Sequence, residues 1–240
     1  MTRILITRIS EEANAYQTEL ENAGFEVLSA PMLELKASKN EVQPDFSIYD
    51  GLIFTSAQGV RFLDVLPDDL SLPVYCVGSH TAKALSDKGF VNVMNAEGTA
   101  RDIVPLIKIH TQPSHRLLHV CGRDVAYDLS HDLAALDVLY ERYVVYHADM
   151  VNDIDDDVVK SIKNQRVDGV IFYSKRTLNN FLYLAEKKEF LNDLKFVVCL
   201  CISVGVRESV RSGDWGKVLI SNEPNRISMM KLLQKWSKEL

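Results

Sequence analysis

The sequence predicts an α/β fold with two similar parallel-sheet α/β/α lobes from an internal duplication, joined by a two-stranded extended linker. Short runs rich in Val, Ile and Leu alternate with amphipathic stretches, which is typical of βα units in a parallel sheet. Several of these segments recur in the same order in the two halves of the chain. With 240 residues, 47% of them hydrophobic, the chain has enough apolar material for two cores.

The first half contains six predicted strands, each an apolar run ended by turn-forming or hydroxyl residues. They are Ile4–Thr7, Phe25–Ser29, Leu33–Lys36, Gly51–Thr55, Pro73–Val77 and Val91–Asn95. Helical spacing of apolar residues predicts helices between them. These are Glu11–Ala23, Ala57–Val65, Thr81–Lys88 and Thr99–Ile109. Gly24 follows the first helix and is the residue type that ends helices most readily.

The second half starts the alternation again. Its predicted strands are Arg116–Cys121, Val138–His147, Val170–Tyr173, Phe196–Ile202 and Val218–Ser221. Its predicted helices are a mostly helical Arg123–Ala135, a helix from Ser174 through Ala185, a helix from Ser203 to Ser212, and Arg226–Trp236.

Four segment pairs support the internal duplication. Asp50-Gly-Leu-Ile-Phe-Thr-Ser56 matches Asp168-Gly-Val-Ile-Phe-Tyr-Ser174. The other pairs are Val74–Val77 with Leu200–Ser203, Val91–Glu97 with Lys217–Glu223, and Arg3–Ile6 with Arg116–His119. One such match is expected between any two α/β segments, but four in the same order are not. We therefore expect a working site in the cleft between the two lobes.

Composition narrows the possible partners and the compartment. The net charge of −6 argues against nucleic acid as the partner, although backbone dipoles can still bind small anions. Four cysteines without a Cys-x-x-Cys pair favour reduced, buried thiols and a cytoplasmic location. The start of the chain lacks the pattern of a signal peptide, and the apolar run Val197–Val206 is too short to span a bilayer. We therefore expect no membrane partner.

Small hydroxyl residues recur where predicted strands end and helices begin, which is where parallel sheets bind ligands. They are Thr55, Ser56, Ser79, Thr81, Tyr173, Ser174 and Ser203. Each helix start offers unpaired N–H groups and a partial positive charge, so these corners are candidates for binding anions. The alternative is that the hydroxyls only cap their helices, and one residue can do both.

Several families of enzyme are disfavoured because their motifs are absent. The sequence has no Gly-x-Gly-x-x-Gly, no Walker loop and no Gly-x-Ser-x-Gly elbow, which excludes the usual nucleotide sites and the α/β-hydrolase triad. His115 and His119 are four apart, but on a strand that spacing holds their rings too far apart to share a metal. These residues therefore predict none of the usual nucleotide sites and no metal site on this histidine pair.

Tyr146 is the strongest single candidate for a catalytic group. It lies near the end of the extended stretch Tyr140–His147, between the two units of the repeat. A strand aromatic at a domain junction is one interpretation. The other is a phenol that faces the cleft and donates a proton to a leaving group.

Motifs spread over the whole chain resemble those of the uroporphyrinogen-III synthase family. They are Ile4-Leu-Ile-Thr-Arg8, Pro31, Asp50–Ser56, Val77-Gly-Ser-His-Thr-Ala82, Thr99-Ala-Arg-Asp-Ile-Val104, Val145-Tyr146 and Asp168–Ser174. The resemblance implies a bilobed monomer. One lobe comprises residues 1–34 and 152–240, the other residues 40–146, and the linkers are about 35–39 and 147–151.

The resemblance also implies a reaction and site residues. The family cyclises linear hydroxymethylbilane to uroporphyrinogen III, with loss of water and inversion of the last pyrrole ring, and uses no metal or cofactor. Its tyrosine, proposed to assist loss of the hydroxyl, corresponds to Tyr146. Its corner threonine corresponds to Thr81. Substrate carboxylates would be held at the hydroxyl corners of both lobes.

The second copy departs from the family pattern. Glu208 stands where a second corner threonine would be, and the nearest strand-end hydroxyl is Ser203. Lys175, Arg176 and Arg207 are candidates to supply positive charge there, or are solvated helix charges. A different function also stays open, because a non-catalytic two-lobed module that binds or senses an anionic metabolite would share the fold without needing Tyr146.

Overall fold

The computed structural model describes residues 1–39, 42–211 and 213–239, with their side chains except those of residues 10–15. The chain divides into two compact units. Unit 1 comprises Met1–Glu34 and Asp149–Leu240, and unit 2 comprises Leu35–Ala148. Unit 1 is therefore discontinuous in sequence.

The strands and helices alternate along the chain. The strands are β1 (Arg3–Ile6), β2 (Glu26–Ser29), β3 (Leu33–Ala37), β4 (Gly51–Phe54), β5 (Val74–Val77), β6 (Val93–Ala96), β7 (Arg116–Gly122), β8 (Leu139–Met150), β9 (Gly169–Phe172), β10 (Val198–Cys201) and β11 (Lys217–Ile220). The helices are α1 (Ser10–Asn22), α2 (Ala57–Arg61), α3 (Ser79–Asp87), α4 (Ile103–His110), α5 (Ser130–Ala134), α6 (Asp156–Lys163), α7 (Lys175–Lys187), α8 (Val204–Arg207) and α9 (Arg226–Trp236). Every strand predicted from the sequence is present.

Two sheets follow from these strands. Within the described residues, unit 1 holds the order β11-β10-β9-β1-β2, and the second sheet has the order β3-β8-β7-β4-β5-β6. All four ladders of the first sheet are parallel, as are those that join β4, β5, β6, β7 and β8. The predicted α/β class with parallel sheets is confirmed.

The two sheets share one topology. If β4, β5, β6, β7 and β8 are matched to β9, β10, β11, β1 and β2, the neighbours in one sheet are neighbours in the other. Registers agree as well, because β7 starts with Arg116 opposite Leu139 and β1 starts with Arg3 opposite Glu26. This repetition supports the internal duplication, which stays a prediction.

The ladders correct the sequence matching of the copies by one residue. Leu52 lies opposite Val74, and its counterpart Val170 lies opposite Cys199. The counterpart of Val74 is therefore Cys199, whereas the sequence comparison paired Val74 with Leu200. Connections of different length between the strands allow this offset, and sequence similarity in short apolar runs does not resolve it.

Alternate residues of the strands supply the cores. In unit 2, Leu52 and Phe54 belong to one buried cluster and Ile53 to a second cluster on the other face of the sheet. In unit 1, each residue from Ile4 to Ile6 is fully buried. Strands covered on both faces read as continuous apolar runs, which is why they were recognisable in the sequence.

Several helices end earlier than predicted. Helix α2 ends at Arg61 instead of Val65, and Lys88 Nζ donates to the carbonyls of Val60 and Leu63 at 2.7 and 2.5 Å. Helix α8 ends at Arg207, whereas the prediction extended to Ser212, which lies outside the described residues. None of the helices in the described part of the chain combines the length and apolar character that a membrane crossing needs.

The stretch Arg123–Ala135, predicted to be mostly helical, is helical only in α5 from Ser130 to Ala134. The backbone N–H of Arg123 donates to the Tyr146 carbonyl at 2.9 Å, and its carbonyl accepts from the Arg142 guanidinium at 2.8 Å. These bonds hold the start of the segment out of a helix. The Asp128 carboxylate then accepts from the Ser130 N–H at 3.0 Å, which favours a turn before α5.

Candidate functional site

Three of the predicted hydroxyl corners cap helices. Ser56 Oγ accepts from the Gln58 N–H at 3.2 Å at the start of α2. Ser174 Oγ accepts from the Thr177 N–H at 3.1 Å at the start of α7, and Ser203 Oγ accepts from the Val206 N–H at 3.4 Å at the start of α8. Capping is therefore confirmed at these corners. Each hydroxyl still carries a proton that it could donate, so the substrate-binding role stays a prediction.

The corner at Ser79 differs from the other three. Helix α3 begins at Ser79 itself, and its N-cap is Gly78, which has a φ of 82° and no side chain to cap the helix. Ser79 is exposed, whereas Thr81 is 4% exposed on the inner side of the first turn. The prediction that α3 starts at Thr81 was wrong by one half turn, because a glycine supplies the left-handed conformation needed before the helix. The start of α3 thus presents backbone N–H groups that no described side chain caps.

A β-bulge determines where Tyr146 points. Cys121 lies opposite Val144, but the next residue, Gly122, lies opposite Tyr146, so β8 carries one extra residue at Val145. As a result, Val145 is buried and Tyr146 packs against the same core cluster, although adjacent strand residues ordinarily face opposite sides.

The ring of Tyr146 contacts two parts of unit 2. It stacks on Phe62 with a centroid distance of 5.4 Å and an interplanar angle of 25°. It also covers Gly122, where a Cβ atom would lie 2.7 Å from Tyr146 Cζ and 3.0 Å from its hydroxyl oxygen. The half-buried phenol therefore has a fixed position that depends on the glycine beneath it.

Thr55 belongs to a hydrogen-bonded network that sequence reasoning missed. Its Oγ1 lies 3.0 Å from His119 Nε2, and His119 Nδ1 lies 2.8 Å from the Tyr140 hydroxyl. His119 is fully buried in the middle of β7, and burial, together with the Arg142 guanidinium, lowers its pKa to about 4. A neutral imidazole has one donor and one acceptor nitrogen, so it can join the two hydroxyls and fix the orientation of Thr55. A polar residue at an interior position of an apolar strand was the available signal for this network.

The unit 1 corner brings together an aromatic ring and several charges. The Arg8 guanidinium carbon lies 4.6 Å from the centroid of the Tyr173 ring, and burial raises the pKa of Tyr173, so its phenol keeps its proton. Lys175 lies 3.7 Å from Glu208 in an exposed ion pair. A methyl group on Gly205 would lie 3.5 Å from Lys175 Cε and 3.8 Å from Ser203 Oγ, so Lys175 and Ser203 border the same space. Glu208 thus offsets part of the positive charge predicted for this corner.

Comparisons with known proteins point to a single family. A family model described as uroporphyrinogen-III synthase HemD matches residues 14–231. The porphyrin biosynthesis protein HemD of Ruminiclostridium josui is 24% identical over 225 residues, which is 88% of this chain and 44% of that protein. A uroporphyrinogen-III synthase of Chlorobaculum parvum is 30% identical over 98 residues, or 37% of this chain and 40% of that protein. The matches thus span less than half the length of both curated relatives.

A solved structure shares the fold. Uroporphyrinogen-III synthetase from Helicobacter pylori has a TM-score of 0.60 and 18% identity, covering 98% of this chain and 100% of that one. At this identity the likeness concerns the fold alone. It agrees with the parallel α/β architecture described above.

Proposed function

The chain belongs to the uroporphyrinogen-III synthase family, whose model matches residues 14–231, and on this premise we propose that it cyclises hydroxymethylbilane to uroporphyrinogen III. The reaction releases one water, inverts the last pyrrole ring through a spiro intermediate and closes the macrocycle. Nothing is oxidised or reduced, so the proposed chemistry requires proton transfer and positioning but no electron carrier. The family match over most of the chain is the observation that carries this proposal.

Tyr146 is the proposed proton donor. Loss of the substrate hydroxyl as water becomes easier when a positioned acid protonates the leaving oxygen. The stacking on Phe62 and the closeness of Gly122 limit how far the ring can move. If a catalytic group is already positioned before the substrate binds, less entropy is lost when the transition state is reached.

The substrate carboxylates are proposed to bind at helix starts. The first turn of α3 presents N–H groups after Gly78, and helix starts carry a partial positive charge that favours anions. In unit 1, Ser174, Lys175, Ser203 and Tyr173 are proposed to bind carboxylates in the same way. In unit 2, Thr55, Ser56, Ser79 and Thr81 complete the set, with His119 holding the Thr55 hydroxyl.

The protein is further proposed to act as a cytoplasmic monomer on this small-molecule polycarboxylate. All four cysteines are free and buried, including Cys199 and Cys201, whose Sγ atoms lie 3.7 Å apart without a bond. Reduced thiols at that separation fit a reducing compartment. Light scattering during gel filtration tests the oligomeric state, and a mass of twice 27.1 kDa would contradict it.

Genetic complementation separates an enzyme from a binding or sensor module. We expect the gene to let a bacterial strain that lacks its own uroporphyrinogen-III synthase grow without added haem. Tyr146→Phe should complement poorly, and the matched Tyr143→Phe change on the same strand should complement fully. A well-expressed chain that never restores growth would favour the non-catalytic alternative.

A further inference from the structure

Unit 2 contains a basic pocket that none of the predicted site residues line. It is a cavity of about 620 Å³ whose walls include Lys36, Ser38, Lys39, Arg123, Val144 and His147. Two lysines, an arginine and a histidine thus border one space, and none of the described wall residues is acidic. This is a local reversal of charge in a chain whose net charge is −6.

Arg123, the arginine of the basic pocket, lies in a stretch of backbone that hydrogen bonds hold in place. The Arg123 N–H donates to the Tyr146 carbonyl at 2.9 Å. The Arg142 guanidinium donates to the carbonyls of Arg123 and Gly122, at 2.8 and 2.9 Å. Both backbone polar groups of Arg123 are therefore hydrogen-bonded, while the residue is exposed and borders the pocket. A cation on a fixed base loses less entropy when it binds an anion.

The β-bulge in β8 gives the basic pocket its wall. Val144 and His147 both border the pocket, although they are three residues apart and a regular strand would turn them to opposite faces. The extra residue at Val145 restores them to one face. The same bulge turns Tyr146 towards the core cluster, so one irregularity aims the proposed proton donor and the pocket histidine at once.

We infer that the basic pocket is a subsite for carboxylate side chains of the tetrapyrrole, an inference that rests on the proposed function. Arginine presents a planar fork that matches a carboxylate with two hydrogen bonds, and each lysine adds a mobile point charge. Several cationic side chains border the pocket, and this suits the neighbouring acetate and propionate groups of one pyrrole better than a single carboxylate. The backbone bond between Arg123 and Tyr146 links this subsite to the proposed proton donor.

The test measures the affinity of the whole protein for uroporphyrin III, an octacarboxylate, together with the kinetics on hydroxymethylbilane. We expect Arg123→Gln to weaken uroporphyrin binding and raise KM roughly tenfold while kcat stays unchanged, because one charged, forked contact is lost. Arg123→Lys should recover part of the loss, and Lys39→Gln should give a smaller effect of the same kind. Lys108→Gln, which removes an exposed charge from α4 of the same unit, serves as the matched control.

The outcomes separate the subsite from the function. If Arg123→Gln and Lys39→Gln bind uroporphyrin III as Lys108→Gln does, the basic pocket is only a solvated surface and the inference is overturned. If the unsubstituted protein makes no type III product, the proposed function fails, and the binding result then stands by itself for or against the pocket.

Discussion

The Asp168 carboxylate accepts a hydrogen bond from the backbone N–H of Arg3 over 2.7 Å. In return, the Asp168 N–H donates to the Arg3 carbonyl at 2.9 Å, which ties the start of β1 to the start of β9. Unit 2 repeats both bonds between Asp50 and Arg116, each at 2.8 Å. A paired contact at corresponding positions of the two sheets is what an internal duplication predicts.

Replacing the first of these carboxylates should destabilise unit 1. Asp168→Ala leaves the half-buried N–H of Arg3 without its acceptor, which costs about 1–2 kcal/mol in the free energy of unfolding. Asp50→Ala should cost less in unit 2, because that pair is more exposed. Urea denaturation followed by circular dichroism measures both effects. Asp168→Asn keeps an acceptor and should lose less, so equal losses for Ala and Asn would contradict this role.

The phenol of Tyr146 should matter for turnover and not for folding. We expect Tyr146→Phe to lower kcat roughly a hundredfold, as for loss of a general acid, with KM close to that of the unsubstituted protein. The ring still stacks on Phe62, so the thermal midpoint should stay the same. Tyr143→Phe is the matched control on the same strand. A kcat for Tyr146→Phe equal to that of the control would remove Tyr146 from the mechanism.

Gly122 should be required because it leaves room for the Tyr146 ring. Gly122→Ala places a methyl group 2.7 Å from Tyr146 Cζ, so the ring must move and kcat should fall. The overpacking should also cost about 1–3 kcal/mol in stability. Gly205→Ala is a control for folding, since its methyl group meets its nearest neighbour at an ordinary 3.5 Å.

A double variant shows whether Gly122 acts through Tyr146. Because both changes would remove the same positioned phenol, kcat of Gly122→Ala/Tyr146→Phe should be no lower than that of Tyr146→Phe alone. Multiplied losses would mean that the glycine affects catalysis by another route.

His119 should make the protein sensitive to acid. Its pKa is lowered to about 4 in the folded state by burial and the nearby Arg142, whereas in the unfolded chain it is about 6.5. Between these values the unfolded chain binds a proton that the folded chain does not. The stabilisation is therefore complete above pH 6.5 and is lost as the pH falls towards 4, by up to about 3 kcal/mol.

Denaturation curves at several pH values, compared with those of His119→Gln, measure this contribution. The difference in unfolding free energy between the two proteins should shrink as the pH is lowered from 6.5 to 4. In NMR spectra, the ring signals of His119 should stay constant from pH 8 to pH 5. A midpoint near pH 6.5 in those signals would show that the imidazole is not held neutral.

The strands were predictable because a parallel sheet is buried on both faces, so its strands are continuous apolar runs. The runs around Ile53 and Ile171 are examples. Helix ends were less predictable, because distant residues decide them. Lys88 donates to the carbonyls of Val60 and Leu63, and Arg142 donates to the carbonyl of Arg123. Neither donor is close in sequence to the backbone group that it binds. Local patterns carry no information about such long-range bonds.

The candidate site was only partly predictable. Hydroxyls at strand ends, such as Ser56 and Ser174, follow from the general layout of parallel sheets. The bulge at Val145 and the network around His119 do not, because each depends on the register between strands that the chain brings together only on folding. The basic pocket joins residues of β3 and β8 with residues that directly follow β3 and β7, and for the same reason it has no contiguous sequence pattern.

The isomer composition of the product tests the central claim most directly. Freshly made hydroxymethylbilane is converted with and without the protein, the products are oxidised to porphyrins, and the type I and type III isomers are separated by chromatography. Without enzyme, the ring closes uninverted to type I. We expect mainly type III in the presence of the protein, and a product that is only type I, as in the enzyme-free sample, would contradict the proposed function.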